Sequence, residues 1–190
     1  MNPDGKTTLA ALGEVRRFFG EISKMLLAAD AMMRDAGWEQ RNGSTATAGN
    51  AFSIHSPQYW MPSKLFRFYR CDASNLLIPC VSVILGSDEK NLDEPLVCGA
   101  VVEYETNNLP VGTQLYGIST WHLWVPDRKD DGSTNCIEPR ALWPTETGAK
   151  KMTSFALPLM VIKESSSLRE LVIEPVLKVL AAQAGIRTHL

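Results

Sequence analysis

Near the start of this chain Leu12, Val15, Phe19, Ile22, Leu26, Ala29, Met33 and Ala36 recur at alternating spacings of three and four residues, the period of an α-helix with one apolar face. A second row, Ala11, Phe18, Met25 and Met32, runs beside the first at intervals of seven. The apolar face therefore takes three of every seven positions, wider than the two-row seam of a coiled coil. Such a helix has to lie on something. Thr7 or Thr8 can cap its start and Gly37 its end, the latter in the left-handed conformation that glycine adopts at no steric cost. Gly13 and Gly20 lie seven apart on a flank of the stripe, where each costs about 1 kcal/mol of helix propensity and permits a close backbone approach.

With 190 residues the chain can bury one sizeable core, and a single domain over 1–190 is expected. An apolar share of 45% and a charged share of 21% belong to an ordinary globular protein rather than to a disordered one. The longest apolar runs, Leu76–Leu85 and Phe155–Ile162, are too short to cross a bilayer. Asn2, Pro3, Asp4 and Gly5 take the place where a secretory leader has its basic residues, so the expected location is the cytoplasm. Cys71, Cys80, Cys98 and Cys136 form no Cys-x-x-Cys pair and read as reduced thiols rather than as a disulfide or zinc framework. Charge is uneven: +2 over residues 1–75, −7 over 76–139 and +3 over 140–190, and an acidic middle argues against a nucleic-acid surface there.

After the helix, residues 42–50 are small and polar and read as a flexible connection, and 52–62 is an aromatic segment broken by Pro57 and Pro62. Strands follow at Leu65–Arg70, Leu76–Leu85, Leu96–Thr106, Leu115–Val125 and Thr153–Ile162, joined by mostly short links that imply antiparallel neighbours. Pro79 and Pro158 each remove an amide donor, which places those points at an edge or a bend. Pro126–Lys151 reads as a long polar loop partly pinned by Ile137, Leu142 and Trp143. Ser167 with Glu170 forms a capping-box pattern ahead of a closing helix that ends near Gly185, with Pro175 kinking it or opening a shorter one. The expected fold is α+β in two layers: an antiparallel sheet of about five strands with a long N-terminal and a C-terminal amphipathic helix packed on one face.

Catalytic signals are sparse. Asp127, Lys129, Asp131, Gly132, Asn135 and Glu138 fall at calcium-loop spacing, but a lysine at the third position repels the ion, and no metal or cofactor is expected. The imidazoles are His55, His122 and His189. His122 with Cys136 is the conceivable nucleophile and base pair, and His55 is the other catalytic candidate. Tyr59, Trp60, Trp121 and Trp124 beside them are the candidate ligand-binding aromatics. Glu103 and Glu105 share a strand face without the lysine that a metal-dependent nuclease adds, and read as a solvated edge. Lys64 to Arg70 interleaves basic and aromatic residues, but alternation sets Phe66 and Phe68 on one face and Arg67 and Tyr69 on the other, the pattern of a half-buried strand with a polar outer side.

No complete catalytic set exists, so the reading is a non-enzymatic binding or assembly module that forms a homodimer through the surplus apolar face of the first helix and takes an unknown protein or small molecule. Two alternatives stand beside it. One is a small hydrolase whose pocket gathers His55, His122, Tyr59, Trp60 and Cys136; the other is a nucleic-acid binder using Lys64, Arg67 and Arg70.

Overall fold

Asp4 caps the first helix: its carboxylate accepts a bond from the Thr7 amide at 2.8 Å, and the bond holds the Asp4 carboxyl below its ordinary range. The sequence offers Thr7 or Thr8 for this role, but both are already helical, and the Thr8 hydroxyl donates back to the Asp4 carbonyl at 3.2 Å. The computed structural model describes residues 4–44, 61–71, 76–86, 94–104, 135–137 and 149–183, with the side chains of 135–137 and 149 left aside. Helix α1 spans Gly5–Asp35, 31 residues and so about 46 Å long. It ends as expected at Gly37, whose φ of 85° lets its amide donate to the Arg34 carbonyl at 2.8 Å and the Trp38 amide to Met33 at 2.9 Å. That is a Schellman ending, and it turns Trp38 into the core.

The strands form one antiparallel sheet. They are β1 (Glu39–Gln40), β2 (Lys64–Arg70), β3 (Leu77–Ile84), β4 (Leu96–Tyr104), β5 (Asn135–Ile137) and β6 (Ala149–Pro158), in the spatial order β1-β2-β3-β4-β6-β5. Among the described residues four strands carry the sheet and two short ones, β1 and β5, flank them, so the α+β two-layer arrangement holds. The polar stretch from Pro126 to Lys151, whose composition predicts a loop, contributes β5 and the start of β6. Pro158 closes β6, and Leu159–Val161 is a 3₁₀ turn rather than strand, with the Leu159 amide bound to the Pro95 carbonyl at 2.8 Å. Pro79 sits just past the last β2–β3 pair, Phe68 with Cys80, where its missing donor leaves no gap in that ladder. The expected strand Leu115–Val125 lies outside the described residues.

The closing helical segment comprises α2 (Ser165–Leu168), a π-helical stretch (Arg169–Ile173) and α3 (Glu174–Gln183). Glu164 is its N-cap, and Ser167 is the third helical residue, whose hydroxyl oxygen accepts from the Glu164 amide at 3.1 Å. The box therefore begins three residues earlier than Ser167 with Glu170 implies. Pro175 is the second residue of α3, in the first turn where a missing amide costs least, so it opens a shorter helix after the π-helical stretch, one of the two roles its sequence position allows.

Both helical segments cover one face of the sheet. Ile22, Leu26, Ala29 and Met33 of α1, and Leu168, Val172, Val176 and Leu180 behind them, pack on Val81, Val83, Val97 and Val101. The opposite face is also closed to solvent at Phe66, Phe68, Cys80, Cys98 and Val102, which explains why β3 reads as a continuous apolar run. Gly99 on β4 makes the close packing of α3 on the sheet possible. A Cβ there would lie 2.4 Å from the Phe155 ring and 2.7 Å from Val176. Gly99→Ala is expected to lower stability by about 1–3 kcal/mol, measured by urea unfolding, because Phe155 is buried and has nowhere to retreat.

Candidate functional site

Helix α1 is longer than the body it lies on. Its buried positions are confined to Ile22–Met33, and residues 5–17 are all exposed, including Leu9 at 71%, Leu12 at 51% and Val15 at 36%. Periodicity continues the apolar stripe for three turns past the last residue that the body covers. Monomers seldom leave such surface contiguous without a use for it.

A groove of ≈ 1090 Å³ opens where α1 leaves the body. Val15, Phe18, Ile22 and Met25 form its helical wall, with Phe18 and Phe19 in edge contact at 5.9 Å. Met61, Leu159, Met160 and Ile162 form the facing wall, and Leu85 and Pro95 lie between them. Residues far apart in sequence meet here because the Leu85 amide binds the Ser63 carbonyl at 2.7 Å and the Leu159 amide binds Pro95. Charges of both signs rim the groove: Glu14, Arg17, Glu21 and Lys24 on α1, Lys163 and Glu164 opposite. Long, apolar and rich in methionine, it can accommodate side chains of varied shape.

A second feature fixes α1 to the sheet. Asp30 on the helix and Arg67 on β2 are 5% and 7% exposed, and the Asp30 carboxylate accepts from Arg67 Nε at 3.0 Å, from Nη2, and from the Tyr69 hydroxyl at 3.0 Å. Arg67 Nη1 donates to the Gly43 carbonyl at 2.9 Å, and the Asn42 side chain bonds both the Phe66 carbonyl and the Phe68 amide along β2. Asn42 and Gly43 are thus tied down at the start of the segment that the sequence reads as a flexible connection, the rest of which, 45–50, lies outside the described residues. Arg67 and Tyr69 face the helices instead of solvent, which reverses the expected outer side of β2. Burial, then the neighbouring Asp30, pushes the Tyr69 hydroxyl's pKa up. The arrangement is a satisfied ionic clamp with no room for substrate between its members.

Of the residues singled out from sequence, His55, Tyr59, Trp60, Trp121, His122 and Trp124 lie outside the described residues. Cys136 is placed by its backbone in β5, opposite Thr153. Lys64 and Arg70 share the β2 face of Phe66 by alternation, and Arg67 lies on the other. Glu103 pairs with Lys150 at 3.0 Å, a partner sequence spacing could not show. Among the described residues no cluster of three or more metal-ligating side chains occurs, and no helix is long and apolar enough to cross a membrane. No family model matches the chain, and no curated protein or solved structure matches it.

Arg67→Met should destabilise by about 3–5 kcal/mol in chemical unfolding, since it strands a buried carboxylate, and adding Asp30→Leu should recover part of that loss. Stability should also fall above about pH 9. Burial raises the Cys80 thiol well above its ordinary value, the Cys98 thiol to about 12, and the Tyr69 and Tyr104 hydroxyls above theirs. The unfolded chain releases these protons first, so alkali favours unfolding, and a melting temperature flat from pH 8 to 11 would contradict the burial.

Proposed function

We propose that this chain is a non-enzymatic binding module of the cytoplasm that takes an amphipathic helical segment of a partner protein into the groove beside α1. The observation that carries this reading is the exposed outer stripe of α1, Leu9, Leu12 and Val15, running without a break into the groove wall at Phe18 and Met25. An open trough bounded by about four turns of helix suits a rod of similar length better than a small molecule, which is ordinarily enclosed. Apolar walls supply the driving force and rims of both signs orient the rod, the physics of helix-in-groove recognition. A second copy offering its own exposed stripe is the other occupant such a surface accepts, and it would join the homodimer through α1.

The probe is a fluorescein-labelled Leu/Lys peptide of amphipathic helical pattern, followed by anisotropy, with sedimentation of the protein alone. Wild type is expected to bind it, and Val15→Asp with Met160→Asp to weaken binding at least about tenfold, since two charges then face the apolar side of the ligand. Val15 and Met160 are 36% and 68% exposed, so the melting temperature should be preserved. Failure of wild type to bind, or equal binding by the double variant, overturns the reading. Concentration-dependent dimers abolished by the same pair of substitutions would make the second copy the occupant.

A further inference from the structure

The exposed row of α1 along the rim of the groove carries its own pattern. At 3.6 residues per turn, Ala10, Glu14, Arg17, Glu21, Lys24 and Ala28 fall in one row at spacings of three and four, on the groove-side flank of the buried stripe, and all but the half-buried Ala28 are exposed. Read about Phe19, the row is its own complement. Laid antiparallel on a second copy, Ala10 meets the partner's Ala28, Glu14 meets the partner's Lys24, and Arg17 meets the partner's Glu21.

Within one chain the charges already pair as Arg17 with Glu14 and Lys24 with Glu21 at 2.9 Å, all four well exposed. Intrahelical pairing accounts for the charges alone. It does not account for Leu27, 63% exposed on one flank of the row, nor for Gly13 and Gly20 on that same flank. A Cβ at either glycine would meet nothing within 4 Å, so nothing among the described residues of its own chain requires them, and both cost helix propensity. In the antiparallel register Gly20 faces the partner's Gly20 across the twofold axis, and Leu27 falls over the gap left by the partner's Gly13. On the other flank Phe18 meets the partner's Phe18, and Met25 meets the partner's Ala11. Small residues lie opposite large ones, and each acid lies opposite a base.

We infer that α1 pairs with the α1 of a second copy through this rim row, antiparallel, with the twofold axis level with Phe19. The interface is isologous, as a twofold dimer requires. It leaves the stripe of Leu9, Leu12 and Val15 free and sets the two grooves edge to edge, because Phe18 and Met25 line both.

Charge-split variants test it by sedimentation across a concentration series. Glu14→Lys/Glu21→Lys makes the row wholly basic and Arg17→Glu/Lys24→Glu makes it wholly acidic. Each alone should raise the dimer dissociation constant by about a hundredfold, the scale of like charges forced together, and mixing the two should restore a 1:1 dimer. The fourfold swap Glu14→Lys/Arg17→Glu/Glu21→Lys/Lys24→Glu keeps the intrahelical pairs and the complementarity, and should dimerise like wild type. A wild type that stays monomeric throughout, or split variants that self-associate as well as wild type and ignore each other on mixing, overturns the inference. Peptide binding in the groove is read separately, so either claim can fall without the other.

Discussion

A mismatch of length governs this molecule. Helix α1 is about 46 Å long, while the six described strands at roughly 4.8 Å spacing span about half of that, and the inner half of the helix lies over β1, β2 and β3. Apolar burial therefore stops at Ile22, and the same periodic stripe that anchors the inner half of the helix becomes a solvent-facing surface in the outer half. The groove is a direct result, since it is the wedge left where the helix departs from the 3₁₀ turn and the start of α2.

Overhang of this kind needs a firm anchor. Hydrophobic packing is non-directional and by itself leaves a helix free to slide or rotate on a sheet. The Asp30 carboxylate, accepting from Arg67 and Tyr69 in a site closed to water, allows one rotation and one axial position. Tight packing at Gly99 beneath Phe155 and Val176 brings the closing helix down beside α1 and completes the layer. The inner half is thereby fixed, and the direction in which the outer half projects follows.

The regular parts of this arrangement were legible in the residues. Eight apolar positions at helical spacing located α1, Gly37 marked its end, and short polar links between β-branched runs gave antiparallel neighbours. What escaped was whatever depends on partners distant in sequence. Alternation in Lys64–Arg70 correctly separated Phe66 from Arg67, but only Asp30, 37 residues away, makes the Arg67 side an interior one. Strands of two and three residues, β1 and β5, exist because their neighbours offer an edge and carry too little pattern to announce themselves. In the groove, the helical wall was visible as periodicity, whereas Met61, Met160 and Ile162 are brought opposite it by strand pairing alone. The stripe's surplus width was readable, but not which of its turns the body would leave bare.

Amide hydrogen exchange along α1 tests the central claim most directly. The account predicts two zones in dilute protein, with slow exchange from Ile22 to Met33, fast exchange from Leu9 to Arg17 and a step at Phe18 and Phe19, the fast zone gaining protection as concentration rises. Uniformly slow exchange over the whole helix, independent of concentration, would show that the outer half is held by its own chain and would contradict it.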